Sequence, residues 1–340
     1  MGSKIMSDTY KAVVIGCGRI GAMNDADSGL PKPASHAAAF VGNARTELVA
    51  LVDSDSAQLK RAAEYYRVAT YADARECLQA LHPDIVVLAT MPNVHEELLA
   101  LCFEFHVPAV ICEKPMSDTV ESAQRMLMTA EKSSSVVIIN YQRRFFPLFK
   151  EARKKIAAGI LGEIQQVTAQ YTNGILNNGG HMVDALRFLL NDEALWVVGV
   201  ENKKNTAAPF GANIDGLIGF ANGTVATLQS LDNNAYSILE IRIFGTKGAL
   251  NISQSGFRFD WAPAKDSVTF MGVKELDWWE CPETQFERRS MVEATTAHVV
   301  DCLDKKVAPQ STAEDGYRTM QILESLSRSA AEGGKKITIK

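Results

Sequence analysis

Apolar runs alternate with helical patterns in the first part of the chain. Five of these runs are short and nearly continuous, which is typical of strands that are buried on both faces of a sheet. The predicted strands are residues 10–15, 47–52, 84–90, 109–113 and 136–141. Helical spacing is present at residues 36–41, 55–66, 74–81, 95–105 and 118–132, the last with Ser117 as its predicted N-cap. This alternation predicts a doubly wound parallel sheet, which binds its ligand at the carboxyl ends of the strands.

The pattern changes after a predicted linking helix at residues 146–158. Short strand patterns separated by turn signals then follow one another, which predicts a largely antiparallel sheet. These strands are residues 164–171, 196–202, 214–220, 224–231 and 239–244. Helical patterns at residues 181–190, 291–303 and 313–331 can cover one face of this sheet. The sequence therefore divides into a ligand-binding domain at residues 7–145 and an α+β domain at residues 146–340.

The uncovered face of the second sheet leads to a prediction about assembly. A large apolar surface that stays open to water is unusual in a monomer. We therefore expect a homodimer or homotetramer that forms through the C-terminal sheet.

Length, charge and cysteine content narrow the possible functions. A length of 340 residues favours two domains, because one hydrophobic core rarely grows beyond ~250–300 residues. The 35 Lys and Arg against 40 Asp and Glu leave a net charge of −5, which does not favour binding to nucleic acid or to a membrane surface. Without a long apolar run or a secretory signal pattern, we expect a cytoplasmic protein. The six cysteines form no CxxC pair, so we expect no metal site.

A glycine motif follows the first predicted strand directly. Its sequence is Gly16-Cys17-Gly18-Arg19-Ile20-Gly21. Glycines in this pattern allow a tight turn, close approach of a pyrophosphate to the backbone, and close packing of the next helix, whose free N–H groups receive negative charge. A chance glycine turn is the alternative. The motif predicts a dinucleotide site that includes Gly16, Gly18, Arg19, Ile20 and Gly21.

Asp53 follows the second predicted strand, where a dinucleotide site has an acidic residue for the adenosine ribose. It lies farther from the glycine motif than the usual ~20 residues, so residues 22–35 are predicted to form an inserted loop. A carboxylate here would repel a 2′-phosphate, which favours NAD over NADP as the cofactor. The alternative is that Asp53 only caps the next helix.

Two further strand ends are expected at the same crevice. After residues 84–90, the candidates for cofactor binding are Thr90, Pro92, Asn93 and His95; a structural role at the start of a helix is the alternative for His95. The next strand ends in Glu113-Lys114-Pro115, which projects Glu113 and Lys114 towards the nicotinamide end. Lys114 is either a catalytic group or a surface charge.

Together these motifs resemble the Gfo/Idh/MocA family of sugar and inositol oxidoreductases. The resemblance includes residues 140–145, the sequence Gly180-His181-Met182-Val183-Asp184, Asp215, and residues 220–223 and 244–248. It implies a Rossmann domain, a second domain with an open and mostly antiparallel sheet, and NAD(P)-dependent hydride transfer. The implied substrate is a secondary alcohol or ketone of a sugar, an inositol, or a derivative such as a nucleotide or amino sugar.

The resemblance also implies catalytic residues. Lys114 matches the family's lysine and His181 its catalytic histidine, whereas the family's aspartate is replaced by Asn177. An amide cannot take up a proton, so proton transfer is expected at His181, with Lys114 as hydrogen-bond donor and electrostatic partner. An inter-domain salt bridge is the alternative for Arg144. The candidate substrate ligands are Lys114, Tyr141, Arg144, Tyr171, Asn177 and His181.

Two other functions stay open at this point. Some relatives use bound NAD transiently, oxidising a sugar so that a glycosidic bond can be eliminated and then returning the hydride. A dinucleotide-binding regulator without catalysis is the other alternative. Asn177 favours the regulator, whereas the presence of both Lys114 and His181 counts against it.

Overall fold

The computed structural model describes residues 9–27, 32–204, 211–278, 284–286 and 291–339. These residues form two compact units. The first unit holds the described residues of Met1–Phe145 and Arg289–Tyr317, and the second those of Phe146–Arg288 and Arg318–Lys340. The first boundary follows residue 145, as in the predicted division, but residues 291–317 belong to the first unit and not to the second.

A six-stranded parallel sheet forms the centre of the first unit. Its strands are β1 Tyr10–Ile15, β2 Thr46–Val52, β3 Ala69–Tyr71, β4 Ile85–Leu88, β5 Ala109–Cys112 and β6 Val136–Ile139. Their order is β3-β2-β1-β4-β5-β6, so β1 pairs with both β2 and β4 and the strand order reverses there. The predicted doubly wound sheet is confirmed, and its crevice lies at the carboxyl end of β1. The sequence pattern missed β3, because this short strand is largely exposed and has no apolar run.

Ten α-helices occur in the described residues. They are α1 Asn24–Asp27, α2 His36–Gly42, α3 Ser56–Tyr66, α4 Ala74–Leu81, α5 His95–Glu104, α6 Val120–Ala130, α7 Pro147–Ala157, α8 Gly180–Leu190, α9 Val292–Leu303 and α10 Ala313–Ala331. Within these described ranges, no helix is both long and apolar enough to cross a lipid bilayer.

Helix α9 corrects one expectation about packing. The helical pattern at residues 291–303 predicts a helix on the second sheet, but α9 packs against α2, β5 and β6 of the first unit. Its Val299 is fully buried in the same core cluster as Phe40 and Ile111. A helical pattern shows that one face is apolar but does not identify the sheet that receives it, so this prediction was wrong.

The second unit contains a mixed sheet. Its strands are β7 Ile164–Tyr171, β8 Ala194–Glu201, β9 Ile214–Phe220, β10 Val225–Ser230, β11 Leu239–Gly245, β12 Gly248–Ser253, β13 Arg258–Asp266, β14 Lys274–Leu276, β15 Thr284–Gln285 and β16 Ile337–Thr338. The order is β14-β13-β12-β11-β7-β10-β9-β8-β16, and β15 pairs with β13. Strands β7 and β10 are parallel, and the other pairs between these strands are antiparallel. The predicted open, mostly antiparallel sheet is confirmed.

The two faces of this sheet differ in polarity. On β7, Val167, Ala169 and Tyr171 are fully buried, and helices α7 and α8 lie in the same unit against the sheet. A Cβ atom at Gly199 would overlap the Leu326 carbonyl, which shows that α10 packs directly on β8. The residues that alternate with the buried ones on β7, β10 and β11 are mostly polar: Gln166, Thr168, Gln170, Thr227, Gln229, Glu240 and Arg242. On these three strands the face is therefore not the apolar surface expected for the predicted oligomer, and the oligomer stays a prediction.

The cap of α6 differs from the predicted one. The Thr119 side chain accepts a hydrogen bond from the Ser122 N–H, whereas the Ser117 hydroxyl donates to the Thr119 carbonyl. The prediction of Ser117 as the cap was wrong because two hydroxyl residues precede the helix and both satisfy the sequence rule.

We expect the Thr119→Ala substitution to lower the free energy of unfolding by about 1 kcal/mol, because one N–H at the start of α6 loses its acceptor. The matched control is Thr119→Ser, which keeps a hydroxyl and should stay within about 0.5 kcal/mol of the original protein. Denaturant unfolding measures both values. An equal loss in the two variants would show that the methyl group, and not the cap, stabilises this turn.

Candidate functional site

The turn after β1 requires glycine at two positions for internal reasons. Gly16 has a φ of +100°, in the left-handed region, and a Cβ atom there would lie 2.5 Å from the Ala89 carbonyl oxygen. A Cβ atom at Gly21 would overlap the Gly16 carbonyl. Both glycines therefore let the turn and the following helical segment Arg19–Met23 pack closely against β1 and β4.

Gly18 differs from the other two glycines. Its φ is −66°, which any residue adopts, and apart from residue 18 and its two chain neighbours no described protein atom lies within 4 Å of a Cβ built on it. Packing therefore gives no reason for a glycine at this position. A group from outside the protein that approaches the backbone would give one, since a side chain at residue 18 would obstruct it.

Asp53 connects β2 to the glycine turn. One of its carboxylate oxygens accepts from the Cys17 N–H at 2.7 Å, and the other accepts from the Asp55 N–H at 2.8 Å. The cap of α3 is Asp55, whose side chain accepts from the N–H groups of Ala57 and Gln58. The capping role considered for Asp53 thus belongs to Asp55, and Asp53 holds the turn.

A cleft of about 510 Å³ lies at the carboxyl ends of β1, β2 and β4. Its lining includes Gly16, Asp53 and Thr90, so three of the predicted cofactor ligands share one cavity. Arg19 is exposed beside the turn and donates to the Asn24 side chain at 3.3 Å. Pro92 and Asn93 form a short 3₁₀ turn with Val94, which also lines the cleft, while Ile20 is half-buried in the helical segment.

His95 is fully buried and joins two loops of the first unit. Its Nε2 lies 3.2 Å from the Thr90 carbonyl oxygen, and its Nδ1 lies 3.2 Å from the Met116 carbonyl oxygen and 3.3 Å from the Cys112 Sγ. Burial lowers the pKa of His95, which favours a neutral ring. This geometry matches the structural alternative considered for His95.

Glu113 is buried and has three hydrogen-bonding partners. His36 Nε2 lies 2.9 Å from its Oε1, the Asn140 side-chain amide donates to the same oxygen at 2.6 Å, and the Lys114 N–H donates to Oε2 at 3.2 Å. Burial alone would raise the pKa of Glu113, but these interactions and the charge of Lys114 hold it below its usual value. Glu113 is therefore an internal anion.

Lys114 follows this anion and is half-buried. Burial lowers the pKa of its ammonium group, the negative charge of Glu113 opposes this shift, and the positive charge of Arg143 adds to it. The proton on Lys114 is consequently held less tightly than on an ordinary surface lysine.

Three residues around Glu113 have no role that a sequence motif predicts: His36, Asn140 and Thr295. The Thr295 hydroxyl donates to Asn140 Oδ1 at 2.9 Å, which directs the Asn140 amide nitrogen towards Glu113. Asn140 and Thr295 lie beside apolar residues at the end of β6 and in α9. A polar residue among apolar ones indicates a buried side chain that must be hydrogen-bonded, but the sequence does not show to which group it is bonded.

The predicted insertion at residues 22–35 is partly helical. The helical segment after the glycine turn continues through α1 to Asp27, and residues 28–31 lie outside the described residues. The Asp25 carboxylate accepts from the Ala34 N–H at 2.9 Å and from the Ser35 hydroxyl, and Ser35 caps α2. This segment accounts for the long spacing between Gly21 and Asp53.

In the second unit, Asn177 and His181 lie one turn apart. Asn177 is half-buried in a π-helical turn, Ile175–Gly179, which runs directly into α8, and His181 is 6% exposed near the start of that helix. The turn begins after Gly174, whose φ is +82°. The structure therefore places these two predicted residues on one continuous helical segment.

Other predicted substrate ligands have internal partners. The Tyr171 hydroxyl donates to the Ile214 carbonyl at 2.8 Å and accepts from the Ile214 N–H at 2.9 Å, so it ties β7 to β9. Arg144 pairs with Asp315 at 2.9 Å and donates to the Gln310 carbonyl at 3.2 Å, all within the first unit. Tyr141 is 1% exposed. A sequence pattern does not show such distant partners, so it cannot separate a substrate ligand from a residue that is bonded internally.

In the part of the chain that the structure describes, no group of three His, Cys, Asp or Glu side chains is placed to hold a metal ion.

Comparison with known proteins links both halves of the chain to one family. The family model GFO_IDH_MocA, described as an oxidoreductase family with an NAD-binding Rossmann fold, matches residues 10–141, and the model of the family's C-terminal alpha/beta domain matches residues 153–339. A D-glucoside 3-dehydrogenase from Escherichia coli (strain K12) is 27% identical in an alignment that covers 98% of this chain and 99% of the relative.

Solved structures share the fold along the whole chain. A levoglucosan dehydrogenase in complex with NADH and levoglucosan has a TM-score of 0.81 at 17% identity and covers 98% of this chain and 100% of its own. The WlbA dehydrogenase from Bordetella pertussis, in complex with NADH and UDP-GlcNAcA, has a TM-score of 0.75 at 20% identity, over 98% of this chain and 99% of its own.

The glycines of the turn lead to contrasting stability predictions. Gly16→Ala should lower the free energy of unfolding by about 2 kcal/mol or more, because its backbone is left-handed and its Cβ would strike Ala89. Gly18→Ala, the matched control, should stay within about 0.5 kcal/mol of the original protein. Denaturant unfolding without ligand measures both. A large loss in Gly18→Ala would mean that packing, and not ligand access, requires this glycine.

Proposed function

Because the chain belongs to the Gfo/Idh/MocA oxidoreductase family, we propose that it is an NAD-dependent dehydrogenase or reductase of a sugar or sugar derivative. The reaction is hydride transfer between nicotinamide and a secondary alcohol or ketone. The observation that carries the proposal is Gly18, an unobstructed glycine in a turn that Gly16 and Asp53 hold in place. Such a turn, followed by a helix N-terminus, is suited to a pyrophosphate.

The residues around the cleft fit an NAD molecule. The backbone at Gly16 and Gly18 would hold the pyrophosphate, and Asp53 would accept hydrogen bonds from the adenosine ribose. Each carboxylate oxygen of Asp53 accepts one backbone N–H and has a second lone pair available for a hydroxyl group. A 2′-phosphate would meet the negative charge of Asp53, which favours NAD over NADP. When bound, the nicotinamide supplies the hydride acceptor or donor.

Hydride transfer also requires a group in the protein that accepts the proton of the reacting hydroxyl group, or returns it in the reverse direction. Imidazole is the side chain best suited to take such a proton at neutral pH, so we assign the general base to His181. Lys114 would stabilise negative charge on the substrate oxygen, and its lowered pKa makes its own proton available. Asn177 can orient a hydroxyl group or the histidine ring by hydrogen bonding, but it cannot share the proton.

The relatives suggest the substrate class. One is a D-glucoside 3-dehydrogenase, and one solved structure contains levoglucosan, an anhydro sugar. We propose that the substrate is a pyranose with a derivatised anomeric carbon, oxidised at a ring hydroxyl group. The names of these relatives describe dehydrogenases, which favours net oxidation or reduction over the redox-neutral cleavage of a glycoside.

The role of Asp53 can be separated from that of its neighbour. Asp53→Asn should lower the preference for NADH over NADPH, measured as the ratio of their Kd values in fluorescence titrations, by about tenfold, because a charged acceptor for the ribose is lost. Asp55→Asn removes the same charge two residues away and keeps a good helix cap, so its ratio should equal that of the original protein. If the Kd ratio of Asp53→Asn also equals that of the original protein, Asp53 does not bind the ribose and only holds the glycine turn.

Catalysis is tested by nicotinamide absorbance with NAD and a panel of glycosides, free sugars, inositols, sugar phosphates and nucleotide sugars. We expect turnover with one class, a loss of at least about 100-fold in His181→Ala and Lys114→Ala, and NADH binding by His181→Ala close to that of the original protein. Activity should fall as the pH rises and Lys114 loses its proton. Because the pKa of Lys114 is lowered, the midpoint of this fall should lie below pH 10.5.

Three results would contradict this assignment. Full activity in His181→Ala would remove the proposed base. Release of an aglycone without accumulation of NADH would indicate redox-neutral cleavage, and tight NADH binding without turnover on any sugar would indicate a regulator.

A further inference from the structure

A buried hydrogen-bond network lies behind the proposed catalytic lysine. It joins α2, the end of β5, the end of β6 and α9 through His36, Glu113, Asn140 and Thr295. All four belong to the first unit; His36, Asn140 and Thr295 are fully buried, and Glu113 is 6% exposed. This burial keeps solvent away from the network, so its polar groups act on one another and on Lys114.

The roles of donor and acceptor in this network follow from its chemistry. An ionised Glu113 accepts hydrogen bonds only, so the His36 nitrogen at 2.9 Å must carry a proton. The Thr295 hydroxyl occupies the Asn140 oxygen, so the Asn140 nitrogen faces Glu113. Glu113 therefore receives donors from α2 and from Asn140 on one oxygen, and the Lys114 N–H on the other.

We propose that His36 is a positioning residue, which holds the Glu113 carboxylate ionised and directed at the Lys114 segment and thereby keeps a negative charge next to Lys114. A buried carboxylate that loses a donor takes up a proton more readily. Without His36, Glu113 would therefore take up a proton more readily and would lose the contact that fixes its position, so the charge interaction that favours protonated Lys114 would be weaker. The inference rests on the proposed function only for its effect on catalysis.

Several other ionisable groups surround this pair. His95 on α5 and Cys112 on β5 interact with the Glu113 charge, and Arg143 faces Lys114. Helix α9 contributes the uncharged hydroxyl of Thr295. Burial favours the neutral form of His95, and the His36 ring contacts the side chains of Glu113 and Asn140. Substitution at His36 therefore leaves Glu113 and Arg143 themselves in place.

The experiment follows the titration of the Lys114 side chain in full-length protein that contains lysine labelled with ¹³C at Cε. A Lys114→Arg variant assigns the NMR signal. His36→Leu removes the donor and retains a side chain of similar size, while His36→Gln places an amide N–H near the position of Nε2. Nδ1 of His36 has no hydrogen-bond partner among the described residues, and Nε2 lies 2.9 Å from Glu113 Oε1 and 3.3 Å from the Asn140 side-chain nitrogen. The substitution therefore removes the contacts of this ring with Glu113 and with Asn140.

Glu113→Gln should lower the pKa of Lys114 by about one unit, because it removes the adjacent negative charge. We expect His36→Leu to lower the pKa of Lys114 in the same direction but by less, because the carboxylate keeps its charge at alkaline pH and loses only the donor that fixes its position. His36→Gln should restore most of the shift. In the double variant, His36→Leu should add no further shift of the Lys114 pKa to the shift caused by Glu113→Gln, since His36 acts on Lys114 only through the Glu113 carboxylate. Additive shifts, or an unchanged Lys114 titration in His36→Leu, would overturn the proposal.

Two further readouts separate the possible failures. If His36→Leu does not fold, ¹⁵N shifts of the His36 ring in the original protein at pH 7 still test the proposal, which requires a proton on Nε2; a bare Nε2 would overturn it. If a substrate is found, the alkaline limb of the pH profile of kcat should move with the Lys114 titration in each variant. A protein without turnover on any sugar would refute the proposed function but leave the NMR result to decide on His36.

Discussion

The buried carboxylate of Glu113 is the constraint on which the first unit depends. An isolated anion in a protein interior is costly, so it must be surrounded by donors. Here the donors come from α2, the end of β6 and the Lys114 backbone, and α9 supports one of them through Thr295. The donors of this one charge thus come from segments that are far apart in the chain, and the Thr295–Asn140 hydrogen bond links α9, whose apolar side packs in the core of the first unit, to the same network. The same charge lies beside the lysine that we propose for catalysis.

How much could be predicted depends on whether a feature is local. Buried parallel strands are continuous apolar runs, so the strand at Tyr10–Ile15 and the sheet class followed from the sequence. The glycine turn was also predictable, because its backbone requirements lie within a few residues. Strand β3 has no apolar run, and Ser117 and Thr119 both satisfy the capping rule. The amphipathic pattern of α9 does not show which sheet the helix packs against. These features required the tertiary structure.

The same distinction holds for the candidate site. Gly16, Asp53 and Thr90 were predicted from their positions after strands, and they share one cleft because parallel strands end at the same edge of a sheet. Asp53 also has a second role, holding the Cys17 N–H, which no motif indicates. Tyr171 and Arg144 have partners distant in sequence, Ile214 and Asp315, so their internal bonds could not be foreseen.

The glycine turn is suited to a dinucleotide, and the charge of the neighbouring lysine depends on a buried anion. The central claim, that NAD binds along the glycine turn of the first unit, is tested most directly by a crystal structure with NADH. We predict density for the pyrophosphate against the backbone at Gly18 and for the adenosine ribose at Asp53. Density at another surface, or none at saturating NADH, would contradict this claim.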